Sequence, residues 1–205
     1  MNIEVFPSPY TVNTLVVPVN NSSNDVFIVD PAVNIELENK NPLAVILTHG
    51  HFDHVMALKS FHKKYPDVPI LIHELDAKYI GKNSLEAQSR ILNCCEAEDF
   101  ERLVDNLPNA TGFLKDGDIL FEDWKVLHTP GHSQGSICLL NEKEKILISG
   151  DTLFYGTYGR TDFYDSNPTD MGKSLRRLYA LDSDITVYPG HDHYAFPLIF
   201  AGESR

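Results

Sequence analysis

From Thr48 to His54 the chain reads Thr-His-Gly-His-Phe-Asp-His, which places three imidazoles and a carboxylate within six residues. The apolar run Leu43 to Leu47 precedes it and reads as a buried strand, so the cluster falls where that strand leaves its sheet. On extended backbone, residues two apart point to the same side, so His49 and His51 can grip one cation together. Asp53 and His54 follow where the pattern turns helical, and can aim at a second cation nearby. A chance cluster of surface histidines is the alternative, and three later positions in matching settings argue against it.

His132 lies in the turn Thr129-Pro130-Gly131-His132, after the strand pattern Lys125 to His128. Asp151 lies in Ser149-Gly150-Asp151-Thr152, at the end of the apolar run Lys145 to Ile148, and His191 lies in Tyr188-Pro189-Gly190-His191, after Ile185 to Tyr188. Each caps a strand and follows a glycine, which is expected to let the backbone turn sharply without a Cβ clash. By chemistry alone, five imidazoles and two carboxylates suit Zn²⁺ first, and Fe²⁺ or Mn²⁺ as well.

The motifs Thr-His-Gly-His-Phe-Asp-His, Thr-Pro-Gly-His, Ser-Gly-Asp-Thr and Pro-Gly-His, in this order, resemble those of the metallo-β-lactamase superfamily, from about Ile28 to about His193. The resemblance implies that His49, His51 and His132 hold one divalent ion and that Asp53, His54 and His191 hold a second, with Asp151 bridging both. It also implies an α/β fold of the four-layer αββα sandwich type. Asp30, in Val29-Asp30-Pro31, is similar to the family's strand-end aspartate, which supports the histidine loop by hydrogen bonds.

Two ions sharing a water would lower its pKa towards neutrality and provide a bridging hydroxide. On this reading Asp53 and Asp151 are the catalytic carboxylates, and the ions stabilise the oxyanion of a tetrahedral intermediate. Thioesters fit most easily, because a thiol leaves as thiolate without a strong general acid. Gly150 to Phe154 and Gly159-Arg160-Thr161-Asp162-Phe163 most resemble glyoxalase II and its short relatives, which implies hydrolysis of an acylated glutathione or similar small thioester. Arg160, Tyr158 and His193 are the expected substrate contacts. Three departures stand out. Fourteen residues follow His191, so the helical second domain of that group is not expected. Asp162 and His193 stand where the group typically carries tyrosines, and Thr157-Tyr158 replaces its usual Gly-Cys. Arg160 could clamp a substrate carboxylate or simply hold its own loop through a salt bridge. The same motifs resemble mononuclear Fe²⁺ persulfide dioxygenases, in which His49, His132 and Asp151 would form a two-histidine, one-carboxylate triad. A lactonase or β-lactamase activity and a non-catalytic zinc-binding role are the remaining alternatives.

The elements that must position these residues follow from periodicity. Strand patterns recur at Ile3 to Phe6, Leu15 to Val19, Val26 to Val29, Leu43 to Leu47 and Ile70 to Ile72. A second set runs through Ile119 to Phe121, Lys125 to His128, Ser136 to Leu140, Lys145 to Ile148 and Ile185 to Tyr188. Helical spacing predicts Asp53 to Tyr65, Leu75 to Ile80, Ser84 to Cys94, Glu98 to Asn106 and Thr169 to Ala180, with Asp53 as a candidate cap and Thr169 opening the last helix. The polar segment 82–109 is expected to carry substrate selectivity. His128 reads as a packed or supporting histidine, and His62 and His73 as ordinary boundary residues.

No linker divides the 205 residues, so a single domain over 1–205 is expected. No apolar run is long enough to span a bilayer, and the N-terminus lacks the basic and apolar regions of a signal peptide. Cys94, Cys95 and Cys138 suggest no disulfide framework, which makes the cytoplasm the default compartment. A net charge of −12 argues against a nucleic-acid partner; two divalent ions would offset about a third of it locally. The expected partner is a small molecule.

Overall fold

A computed structural model describes residues 1–21, 24–91 and 100–202. The chain forms two compact units, Met1–Phe113 and Leu114–Arg205.

The first unit carries a sheet with strands in chain order: β1 (Glu4–Pro7), β2 (Asn13–Pro18), β3 (Asp25–Val29), β4 (Asn41–Ile46), β5 (Ile70–His73) and β6 (Gly112–Leu114). The first three pair antiparallel, whereas β3, β4 and β5 run parallel. Parallel pairing aligns the C-terminal ends of β3 and β4, with Val29 opposite Ile46, so Asp30 emerges beside the chain leading to Thr48. Alternation along the strands sends Val26, Ile28, Val45 and Leu47 to one face. There they form a core with Phe52, Val55, Leu58 and Phe61 from α1 (Phe52–Val55) and α2 (Leu58–Lys64).

The sequence predicts one helix from Asp53 to Tyr65; the structure breaks it. Ala57 N–H donates to Pro31 O at 2.9 Å rather than to a carbonyl one turn back, and this interrupts the helical ladder. Asp53 is not the cap either. His51 occupies that position, with no side-chain cap bond, and Asp53 lies in the first turn. Leu75 to Ile80 is a 3₁₀ turn over Glu74–Tyr79, capped by His73 Nδ1, which accepts from Leu75 N–H. α3 (Ser84–Ile91) and α4 (Phe100–Val104) follow; Cys94 and Cys95 lie outside the described residues.

The second unit has a sheet ordered β14-β13-β10-β9-β8-β7, built from β7 (Ile119–Leu120), β8 (Trp124–His128), β9 (Ile137–Asn141), β10 (Ile146–Gly150), β13 (Thr186–Pro189) and β14 (Phe196–Pro197). β10 and β13 are its parallel pair, which again brings two strand ends to one edge: Gly150 sits opposite Pro189. A small hairpin, β11 (Leu153–Phe154) with β12 (Thr157–Tyr158), follows Asp151. These two-residue strands and β6 and β14 are too short for periodicity to reveal. The core joins Leu127, Leu140, Leu147, Val187 and Phe196 to Leu178 of α5 (Pro168–Leu178), and Trp124 is fully buried. α5 begins one residue before the sequence expectation. Asn167 Oδ1 accepts from the N–H groups of Thr169 and Asp170, and Pro168 takes the first turn, where its missing N–H costs nothing. No described helix is long and apolar enough to cross a membrane.

Candidate metal centre

In the first unit the histidine cluster is organised by Asp30. This residue adopts a left-handed backbone (φ 49°) immediately after β3, held by Thr14, whose hydroxyl donates to Asp30 O at 2.8 Å. The turn aims a nearly fully buried carboxylate at the end of β4. Its Oδ1 accepts from Thr48 N–H at 2.8 Å; its Oδ2 accepts from the Thr48 hydroxyl at 2.6 Å and from His54 Nδ1 at 2.9 Å.

These contacts fix two tautomers. A carboxylate can only accept, so His54 carries its proton on Nδ1. The single Thr48 hydroxyl proton is committed to Asp30, which leaves the Thr48 oxygen to accept from His49 Nδ1, 3.1 Å away. Both rings therefore keep the Nε2 lone pair for a ligand. The rings of His49 and His54 lie 4.1 Å apart by centroid, and those of His49 and His51 4.6 Å apart and nearly perpendicular. Asp30, His49 and His54 present donor atoms within 4.8 Å of one another. With both oxygens already engaged by Thr48 and His54, Asp30 orients ligands rather than being one.

The loop between the histidines is clamped from behind. Gly50 N–H donates to Asp76 Oδ2 at 3.0 Å, and Gln88 Nε2 donates to Gly50 O at 2.6 Å and to Tyr79 O at 2.9 Å. A Cβ on Gly50 would come within 2.6 Å of the Tyr79 side chain and 2.9 Å of Asp76 O. The sequence expectation that each glycine serves a sharp turn holds for Gly131 (φ 148°) and Gly150 (φ 49°). Gly50 is required instead by this close approach.

In the second unit Asp151 gathers two imidazoles. His132 Nε2 lies 3.5 Å and His191 Nε2 3.3 Å from Asp151 Oδ2, and all three residues are at least half-buried. His132 Nδ1 is 2.9 Å from Arg160 O. A carbonyl can only accept, so this ring too is held as the Nδ1–H tautomer with Nε2 facing the carboxylate. The Ser166 hydroxyl donates to His132 O at 2.6 Å and fixes the backbone.

Within the first unit the rings of His49, His51 and His54 cluster, with Asp53 in the first turn of α1; within the second, His132 and His191 flank Asp151. Buried imidazoles tethered through Nδ1, with carboxylates adjoining, form a donor set that fits a divalent transition metal.

The expected substrate contacts lie around the second set. Arg160 is bound to Asp162, Tyr158 is exposed on β12, and His193 is exposed and packed against Tyr155 and Phe196. The Arg160 guanidinium holds the Asp162 carboxyl below its ordinary range. His128 supports structure: its Nε2 meets Gln134 O at 2.9 Å, and its N–H donates to Asp116 Oδ1 at 2.8 Å. Burial pushes the Cys138 thiol up to about 11, which leaves it an inert part of the core. Sequence reasoning missed Thr48, Asp76 and Gln88. Only Thr48, adjacent to His49, carried any signal.

Comparison with known proteins agrees with these features. The profile of the Metallo-beta-lactamase superfamily matches residues 18–191. The probable metallo-hydrolase YqgX of Bacillus subtilis is 32% identical over 178 residues, 83% of this chain and 81% of the relative. The hydroxyacylglutathione hydrolase GloC of Haemophilus influenzae is 30% identical over 212 residues, 95% of this chain and 92% of the relative. Among solved structures, TTHA1623 in a di-iron-bound form superposes with a TM-score of 0.80 at 28% identity, covering 98% of this chain and 96% of that one. With its strand-end ligand sets and the matching α/β fold, the chain belongs to the metallo-beta-lactamase superfamily.

Proposed function

We propose that the chain is a binuclear metal-dependent thioesterase, acting on a small acyl thioester in the manner of a hydroxyacylglutathione hydrolase. The observation that carries the reading is the pre-set tautomer pattern: His49, His54 and His132 are each tethered through Nδ1, so each offers Nε2 to an ion. The similarity to GloC over nearly the whole of both chains favours a thioester among the substrates such a centre could take.

On this proposal His49, His51 and His132 would hold one ion and Asp53, His54 and His191 the other, with Asp151 as a ligand available to both. Two divalent ions in this ligand set, zinc first and iron or manganese as alternatives, would supply Lewis acidity and acidify a water towards neutrality. The remaining work falls to the chain. Asp30 and the Arg160 carbonyl hold the Nδ1 protons of His54 and His132, so both rings are already oriented with Nε2 towards an incoming ion. Asp53 and Asp151 contribute the negative charge that offsets the ions and orients the attacking water. The carbonyl carbon would gain the water oxygen, the carbon–sulfur bond would break, the water's protons would pass to solvent and the thiol would depart as thiolate, so no strong proton donor is needed.

The test is release of free thiol from S-lactoylglutathione and from simpler acyl thioesters, with dissolved oxygen followed in parallel. Thiol release without oxygen uptake is expected. Asp151→Asn should lower kcat by orders of magnitude while the fold survives, because a carboxamide neither neutralises nor bridges cations well. Oxygen consumption dependent on glutathione persulfide, with no thioester cleaved, would assign the chain to dioxygenase chemistry instead.

A further inference from the structure

The segment from Arg160 to Phe163 places a cation beside one of the candidate ligands. The Arg160 carbonyl accepts from His132 Nδ1, and the Phe163 ring meets His132 edge-on with centroids 5.5 Å apart. The Arg160 guanidinium lies over the Phe163 ring, its carbon 4.4 Å from the centroid. An arginine held over an aromatic ring beside a candidate metal ligand is pre-organised to receive a carboxylate.

That position is already filled. Asp162 Oδ1 accepts from Arg160 Nε and Oδ2 from Arg160 Nη2, both at 2.7 Å, a bidentate fork-to-fork pair closed within three residues of chain. The side chains are 63% and 66% exposed, so the pair faces solvent and is not part of the core. Exposed ion pairs add little to stability, so folding alone gives a weak reason for this one. Its electrostatic effect is larger. Arg160 alone would present a positive charge; with Asp162 the charges of the pair offset, and two of its donors, Nε and Nη2, are occupied by a tethered competitor. A substrate carboxylate must either displace Asp162 or lie beside it against like charge.

We propose that Asp162 is a specificity-determining residue: by filling the Arg160 fork it biases the site towards thioesters with a neutral or weakly anionic thiol carrier and against carriers bearing carboxylates. The inference rests on the thioester reading of the site. Arg160 then serves to position His132 through its carbonyl and through Phe163, and its guanidinium does not clamp substrate.

The test compares one acyl group on two carriers, glutathione and the neutral thiol N-acetylcysteamine, using the metal-loaded full chain. Asp162→Asn and Asp162→Ala are expected to raise the ratio of kcat/KM for the glutathione ester over the neutral ester about fivefold. The change should lie in KM and shrink as salt is raised. Replacing Arg160 by Gln in the Asp162→Asn background should abolish the gain, since the effect runs through the freed guanidinium. If the wild-type chain cleaves both esters and neither Asp162 variant shifts the ratio, the inference fails while the thioesterase reading stands. A gain that persists without Arg160 also overturns it. If no thioester is cleaved, the functional reading fails, and glutathione itself becomes the probe. Calorimetry should then find about fivefold tighter binding to both Asp162 variants than to wild type, and equal affinity overturns the inference.

Discussion

Asp30 accepts three hydrogen bonds at the end of β3, from Thr48 N–H, the Thr48 hydroxyl and His54 Nδ1, and through them settles which nitrogen of two imidazoles carries the proton. An amide in its place would supply one acceptor oxygen and set an N–H₂ against groups that already donate. Asp30→Asn should therefore weaken metal affinity by about 10–100-fold, measured by competition with a chromogenic chelator. The same variant should lose about 2–4 kcal/mol of stability in urea, because donors buried around it lose their partners. Unaltered affinity in a folded variant would show that Asp30 does not set the imidazoles. In the second unit, Asp151 instead has the Nε2 atoms of His132 and His191 on its Oδ2 side, whereas Asp30 meets the Nδ1 atom of His54.

At the level of elements, the clamp on the loop from His49 to His51 makes a sharper prediction than the ligands themselves. Gly50→Ala drives a methyl into the Tyr79 side chain and Asp76 O, both inside normal contact, and should cost about 1–3 kcal/mol in thermal or urea unfolding. Metal affinity should fall with it, because the loop cannot shift without moving His49 and His51. Legibility in the sequence follows from the same geometry. The candidate ligands could be read because His49 to His54 form one dense motif after a strand, and His132, Asp151 and His191 each follow a strand and a glycine, local patterns all. Asp76 and Gln88 could not, because they reach Gly50 from 26 and 38 residues away and carry no motif of their own. The break between α1 and α2 was equally hidden, since its cause is the Pro31 carbonyl and not any residue inside the helix. Gln88, within the segment 82–109 expected to carry selectivity, supports the histidine loop.

A second pairing ties α5 to the turn before β7. Arg177 Nη1 donates to Asp116 Oδ1 at 2.6 Å, and Asp116 also accepts the His128 N–H. Partial burial pushes the Asp116 carboxyl up, but Arg177 and the His128 N–H outweigh it, so the net shift is downward from the usual 3.8. A carboxylate with a lowered folded value stabilises above its unfolded pKa of about 4 and loses that contribution as pH falls through the folded value. Asp116→Asn should therefore flatten the acid limb of the stability curve below about pH 4. The difference near neutrality should stay under about 1 kcal/mol, since the pair is about half-exposed and screened by solvent. An unchanged acid limb would mean that the pair contributes nothing in solution.

On the scale of the whole molecule, a chain of net charge −12 concentrates histidines and aspartates at strand ends, where repulsion among carboxylates is relieved when cations are present. Bound ions therefore act on stability as well as chemistry, and removing them should lower the melting temperature in proportion to the logarithm of free metal. Trp124 adds an unplanned advantage for observing this. It is the single tryptophan of the chain, fully enclosed in β8 of the second unit. Its emission is an optical tag on one half of the polypeptide, while far-ultraviolet dichroism sums over both. If ions are shared by the two ligand sets, as proposed, the two signals should melt at one temperature in the loaded protein and separate by several degrees after chelation. Coincident curves in the stripped protein would mean that the halves unfold together without any metal to join them.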